Sequence, residues 1–303
     1  MKNPDAASRR RGVILFLLAV FFFALNDALG KWLVADYAVG QLLALRAVGA
    51  AFVLAPMAWG IDATLLDRRR PGLQSARVLA MAADTYCFYY ATRTMPLADV
   101  MTFYMAAPII VTALSAIFLH EEVEPLRWAA VVVGFLGVVV ALRPTPDIFS
   151  TAAPVALLGA TLYAIGQTIT RALRGVHWLQ LVVWQFGGAG LIGAATLPFA
   201  FRAPGLFDLT LTFLLGAVAM GCFVCMTRAL ALAPASVLAP FQYTAILWAS
   251  VLGWLVWGDG LSGHVIAGNA LIVASGAVVL RAERLRSTRQ SRAFADMSPP
   301  PVP

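Results

Sequence analysis

The stretch MPLADVMTFYMAAPIIVTALSAIFLHEEVEPLRWAAVVVGFLGVVVALR, Met95 to Arg143, is repeated in outline by Ala233 to Arg281. Aligned without a gap, Pro96 falls on Pro234, Phe103 on Phe241, Ala107 on Ala245, Leu114 on Leu252, Val140 on Val278 and Arg143 on Arg281, and the acidic break repeats as Glu121 over Asp259. Each copy is an apolar run, a short polar break and a second apolar run, and each run is close to the roughly 20 residues that a helix needs to cross a bilayer. Lipid restricts the alphabet of any two membrane hairpins. It does not account for matching prolines, an acidic turn and a terminal arginine in one ungapped register, so the repeat reads as a duplication.

The correspondence extends over the rest of the chain. GVILFLLAVFFFALNDALGKWLV matches VALLGATLYAIGQTITRAL, with Asp27 on Gln167 and Lys31 on Arg171. Taken alone, the basic start and short apolar core of the first run resemble a signal peptide, but the match makes it a retained first helix. QLLALRAVGA answers QLVVWQFGGA, with Arg46 on Gln185, and a third run beginning near Val78 answers one near Leu209, with Cys87 on Cys225. The expected fold is therefore all-α and integral to the membrane, with ten transmembrane helices as two five-helix repeats. The first spans residues 12–143 and the second 153–281, between an N-terminal tail (1–11) and a basic, disordered tail (282–303).

Hydrophobic residues make up 61% of the chain and charged residues 12%, which excludes an ordinary soluble domain. The net charge of +7 gathers in clusters at the termini and between apolar runs, which suits orientation signals and anionic lipid and excludes nucleic acid. Arg9, Arg10 and Arg11, the loop arginines Arg68, Arg69, Arg70 and Arg77, Arg171 with Arg174, and the closing arginines all fall on one side of a ten-helix chain. That side reads as cytoplasmic, with both termini on it and the protein multi-pass in a bacterial inner membrane. Five helices is an odd number, so the second repeat enters from the opposite face and is inverted. Inverted repeats are the architecture of carriers whose halves rock around a midplane site.

No HExxH, GxSxG, phosphate-binding glycine loop or Asp-rich metal loop occurs, so no catalytic residue, metal or cofactor is expected. Cys222 and Cys225 form a CxxC on a membrane helix without a second ligand pair, which reads as packing. His120, His177 and His264 fall in predicted loops. An integral-membrane enzyme acting on lipid is the competing class, and it lacks a reactive constellation here.

Two five-helix halves, Pro96 opening a helix that contains AAP, an acidic turn and a glycine-bearing fifth helix ending in Arg together resemble the EamA branch of the drug/metabolite transporter superfamily. The resemblance covers about Gly12 to Arg281. It implies a secondary transporter of a small organic metabolite, such as an amino acid, nucleotide sugar, S-adenosylmethionine or riboflavin, moving inward or outward. The second copy departs in carrying Asp259 where Glu is usual.

Ionisable residues inside membrane helices are costly and mark candidate sites. Asp27 and Lys31 share a face at i, i+4. Arg46 enters from the same membrane face, roughly 10–15 Å deep at about 1.5 Å per residue. The plain alternative for these three is an internal salt bridge that neutralises charge in lipid. Asp84 stands near the middle of its helix beside Tyr86, Tyr89 and Tyr90, where a carboxyl group could carry a proton or pair with Lys31 or Arg46. In the second half Gln167, Arg171 and Gln185 form the matching layer. Tyr104 and its counterpart Gln242, with Tyr243, lie on helices interrupted by Pro108 and Pro240, whose freed carbonyls must face protein or a wet cavity. The substrate-binding or gating set is thus Asp27, Lys31, Arg46, Asp84, Tyr86, Tyr90, Tyr104, Gln167, Gln185, Gln242 and Tyr243. Its aromatic lining favours a flat heterocycle such as riboflavin, with export of amino acids or related metabolites as the alternative. Gly187, Gly190 and Gly193 form a small-residue stripe for close helix packing or a homodimer contact, in a protein that is otherwise a monomer.

Overall fold

The computed structural model describes residues 6–34, 36–58, 70–94, 97–143, 152–252, 254–255 and 263–296. Among them the regular structure is helix, with no strand. Helices α1 (Ala6–Val34), α2 (Val39–Ala58), α3 (Pro71–Thr94), α4 (Leu97–Tyr104), α5 (Ala107–Phe118) and α6 (Pro125–Leu142) form the first half. Helices α7 (Ala153–Ala172), α8 (Trp178–Thr196), α9 (Leu206–Leu232), α10 (Ala235–Leu238), α11 (Thr244–Leu252) and α12 (Gly263–Asp296) form the second.

Among the described residues, seven stretches are long and apolar enough to cross a membrane: Val39–Pro56, Val100–Phe118, Pro125–Leu142, Ala153–Ala172, Trp178–Phe199, Leu206–Leu232 and Ala235–Leu252. Helix α1 opens on three arginines and holds Asp27 and Lys31, and α3 holds Arg77 and Asp84, so polar content dilutes both. Large apolar side chains such as Phe52, Leu79, Phe118, Leu136, Leu191 and Leu206 point outward. Apolar surface on that scale suits a lipid environment rather than water.

The halves interlock rather than sit side by side. Helix α1 packs on α9 and α3 on α7; α2 packs on α8 and α9, and α6 on α12. Exchanging each helix for its repeat counterpart turns α1 with α9 into α7 with α3, and leaves α2 with α8 and α6 with α12 in place. Small residues permit the approach. A Cβ on Gly268 would meet the Gly137 carbonyl and Ala141, one on Gly193 the Gly40 carbonyl, and one on Gly216 the Arg46 carbonyl. The expected glycine stripe holds in part: Gly190 lies against Ala47 and Gly193 against Gly40, whereas Gly187 is exposed and meets nothing.

The two proline breaks are present. Helix α4 stops at Tyr104 and α5 starts at Ala107, with Pro108 unable to donate to the carbonyl four residues back. In the second half a 3-10 turn, Ala239–Tyr243, containing Pro240, separates α10 from α11. Both breaks place their polar residues, Tyr104 and Gln242, at the ends of short helices facing the bundle interior.

Three readings need correction. Arg77 is not a loop residue, because α3 begins at Pro71 and carries it fully buried in its second turn. His264 sits in the first turn of α12 and not in a loop. Helix α12 continues to Asp296, so much of the segment read as disordered is helical. That segment, AERLRSTRQSRAFA, contains Ala, Leu, Arg, Glu and Gln, residues of high intrinsic helix propensity that let the helix continue. Pro96, Trp59, Trp257, Asp259 and residues 297–303 lie outside the described residues.

Candidate functional site

Asp84 on α3 is the best-defined polar group in the interior. The Tyr104 hydroxyl at the end of α4 donates to its Oδ1 at 2.8 Å and lies 3.1 Å from its backbone carbonyl. Both side chains are buried, each 9% exposed. Sequence creates this contact twice: the break before Pro108 lets Tyr104 turn inward, and Gly159 on α7 leaves room, since a Cβ there would strike the hydroxyl. Phe88 packs edge-on to Tyr104 with ring centroids 5.1 Å apart.

Asp27 on α1 and Arg46 on α2 form the second feature. Each lies within electrostatic reach of the other, and Arg46 also of Tyr89 and Cys222, while Asp84 senses Asp27. Both lie among protein groups and are half-buried. Two carboxylates and one guanidinium are thus within electrostatic reach in this part of the bundle. The hydroxyl of Tyr89 lies against Gly30 of α1, where a Cβ would come within 3.1 Å of it. The side chain of Lys31 lies outside the described residues.

The other expected residues divide. Gln167 donates to Gln242 Oε1 at 3.0 Å, which joins α7 to the broken helix. Tyr243 is fully buried, with its ring filling the space left by Gly134 and its hydroxyl unpartnered. The Tyr86 hydroxyl is also buried without a partner, beside Gly40. Gln185 is buried on α8, which packs against α2 and α3, and takes no part in the Gln167–Gln242 bond. Tyr90 is not drawn in: it is 56% exposed.

One end of the bundle is closed by an ion pair that joins the halves. Arg171, the last basic residue of α7, donates from Nε to Glu121 in the turn between α5 and α6 at 2.8 Å, with the two side chains 4% and 9% exposed. Nη1 of Arg171 also donates to the Leu230 carbonyl at 2.8 Å. The second Glu121 oxygen accepts from the Ser236 hydroxyl at 3.2 Å, and Arg127 donates to the same hydroxyl at 3.3 Å. At the opposite end Tyr37 donates to Asp208 at 2.7 Å, and Gln41 exchanges two bonds with the Arg202 backbone at 2.6 and 3.0 Å. That carboxylate, by accepting its proton, holds the Tyr37 hydroxyl above its usual range. An exposed pair, Arg202 with Asp36 at 3.0 Å, adds little there.

Sequence reasoning placed Arg171 in a polar layer and Glu121 in a turn without joining them. The repeated acidic break was the signal that could have done so. Tyr89 stands outside the expected set although its ring, not that of Tyr90, turns inward, because nothing in a YY pair says which one does. Among the described residues no cluster of His, Cys, Asp and Glu could hold a metal.

The sequence profile of the EamA-like transporter family matches residues 10–143 and again 150–281. The chain is 26% identical over 287 residues to a riboflavin transporter of Rhizobium johnstonii, covering 92% of this chain and 93% of that one. It is 28% identical over 270 residues to a pseudopaline exporter of Pseudomonas aeruginosa, covering 88% and 94%. It is 22% identical over 282 residues to an S-adenosylmethionine uptake transporter of Rickettsia felis, covering 92% and 95%. A protein of known crystal structure shares the fold, with a TM-score of 0.78 over 90% of this chain and 97% of that one at 16% identity.

Proposed function

The chain belongs to the EamA-like transporter family, and from that premise we propose that it carries its substrate by alternating access through the cleft of Asp27, Arg46 and Asp84. It is a multi-pass membrane protein and a transporter of a small metabolite, not an enzyme. The observation that carries the proposal is the charge gathered among half-buried groups inside the bundle. Asp27 and Arg46 keep accessible surface inside a bundle whose outer face is apolar, as groups lining a path must.

Ten spans arranged as two inverted five-helix repeats make up the transporter. The two matches to one family profile and the exchange pattern of helix packing support the duplication. Both termini are cytoplasmic, in a bacterial inner membrane, so the end closed by Glu121 and Arg171 is the cytoplasmic one. Reporter fusions at Gln290 and Thr145 are expected to report opposite sides of the membrane. The same side for both would end the five-helix half and the inversion with it.

The substrate is a flat heterocyclic metabolite of the riboflavin kind, held by charge at Arg46 and Asp84 and by the rings of Tyr89 and Tyr104. Asp84, whose carboxylate meets a hydroxyl and no described cation, is the proton carrier. A monomer suffices, with the exposed part of the α8 glycine stripe available to a second copy. Counterflow in proteoliposomes preloaded with riboflavin, an aromatic amino acid or S-adenosylmethionine tests the reading. Saturable exchange of riboflavin, accelerated by an imposed pH gradient, is expected. Exchange of the amino acid alone would make the protein an amino acid carrier, and no gradient effect would remove the proton.

A further inference from the structure

Arg77 is fully enclosed, with none of its surface exposed, at the contact of α3 with α8. Nη2 donates to the Leu181 carbonyl of α8 at 2.5 Å, while Nε and Nη1 meet no acceptor. Among the described residues no acid acts on it, in contrast to Arg46 and Arg171. A buried cation normally has a counter-charge, because desolvation costs more than one neutral bond returns. The guanidinium offers five N–H groups in a planar fork that fits the two oxygens of one oxyanion, and here two of its three nitrogens stand ready.

The surroundings have the same sign preference. Leu181 lies in the first turn of α8 and Arg77 in the second turn of α3, so both helices begin at this end. Although backbone or cap acceptors occupy the Leu73, Gln74, Leu179, Gln180 and Leu181 N–H groups, the positive dipole ends of both helices favour an anion. Gln185, one turn beyond Leu181 on the same face, is buried with its amide oxygen unpartnered. Turned about its last bond, that amide presents its NH2 group instead.

We propose that the seam between the opening turns of α3 and α8 is a binding site for an oxyanion, a carboxylate or phosphate group, with Arg77 as its anchor. In this state the seam is shut and the Leu181 carbonyl stands in for one oxygen of the ligand. A charged oxygen displaces it when the helix ends part, because charge-assisted bonds are about twice as strong as neutral ones. Two sources share this chemistry: the acid group of a soluble metabolite and the phosphate of an anionic lipid.

The test reads binding and is therefore separate from transport. Thermal unfolding of the purified protein in phosphatidylcholine nanodiscs is followed against citrate and inorganic phosphate, with chloride at matched ionic strength as control, and then in discs containing phosphatidylglycerol. The midpoint is expected to rise with at least one of these probes. Arg77→Gln, which keeps a donor for Leu181, should weaken the apparent affinity by about tenfold or more, and Arg77→Lys should fall between the two. A response to citrate or phosphate assigns the site to a soluble anion, and a response to phosphatidylglycerol alone assigns it to lipid. No shift of the wild type with any probe overturns the site, as does an equal shift in Arg77→Gln. If that variant does not insert, an Arg77→Lys protein binding as tightly as wild type overturns it.

Discussion

Arg46→Ala is expected to reduce transport to background while the protein still inserts and elutes as a single species. The backbone at this position is held by its close approach to Gly216 of α9, and alanine keeps that contact. What disappears is the half-buried guanidinium, and with it the cation that acts on Asp27. A ligand that depends on that charge loses a charge-assisted bond worth about 1.5–3 kcal/mol, on the order of 10- to 100-fold in affinity. Arg46→Lys should retain part of the activity, since it keeps charge and loses the planar fork. Wild-type rates from the alanine variant would make Asp27 and Arg46 a structural pair that neutralises charge within the membrane.

The second large effect is expected at the closed end. Arg171→Ala leaves the Glu121 carboxylate 9% exposed with only Ser236 to solvate it, and it also removes the donor to Leu230. Breaking a buried pair from one side costs about 3–5 kcal/mol, whereas removing both charges together is often close to neutral. The single variant should therefore unfold at a clearly lower temperature, and Arg171→Met combined with Glu121→Gln should recover a large part of the loss. The recovery is the diagnostic quantity, because residues in one network do not add. If Arg171→Ala melts with the wild type, the pair does not hold this end shut.

Much of this was legible before any coordinates. Apolar run lengths, the ungapped repeat and the two prolines foretold the helices and the breaks after Tyr104 and Leu238, because membrane spans and proline geometry are local properties. The same logic calls for a partner for Asp84, a carboxyl group within an apolar helix, but the sequence pointed to Lys31 or Arg46, whereas the Tyr104 hydroxyl is what meets it. What remained hidden was non-local. Glu121 and Arg171 are far apart in sequence, and nothing local distinguishes a turn carboxylate that folds inward from one that stays in water. Arg77 was hidden differently. PGLQSAR is polar enough to read as the end of a loop, yet Gln74 and Arg77 share the buried face of α3, so the polar residues were the interior ones. Tyr90 failed for a rotational reason, since the exact phase of a helix about its axis is set by neighbours that sequence does not name.

The pairing of α1 with α9 also sets a timetable for biosynthesis. Asn26 reaches the Leu215 carbonyl at 3.4 Å across 189 residues of chain. At the roughly 5–20 residues per second of a ribosome, α1 waits on the order of ten to forty seconds for that partner. Asp27 spends that interval in or beside the bilayer without its final enclosure. Helix α2 follows within a few seconds by the same arithmetic, and it brings Arg46, whose charge acts on Asp27 and makes the carboxylate less costly in lipid. On this view a cation on the second helix is what allows the first to remain in the membrane until the second half of the chain has been made.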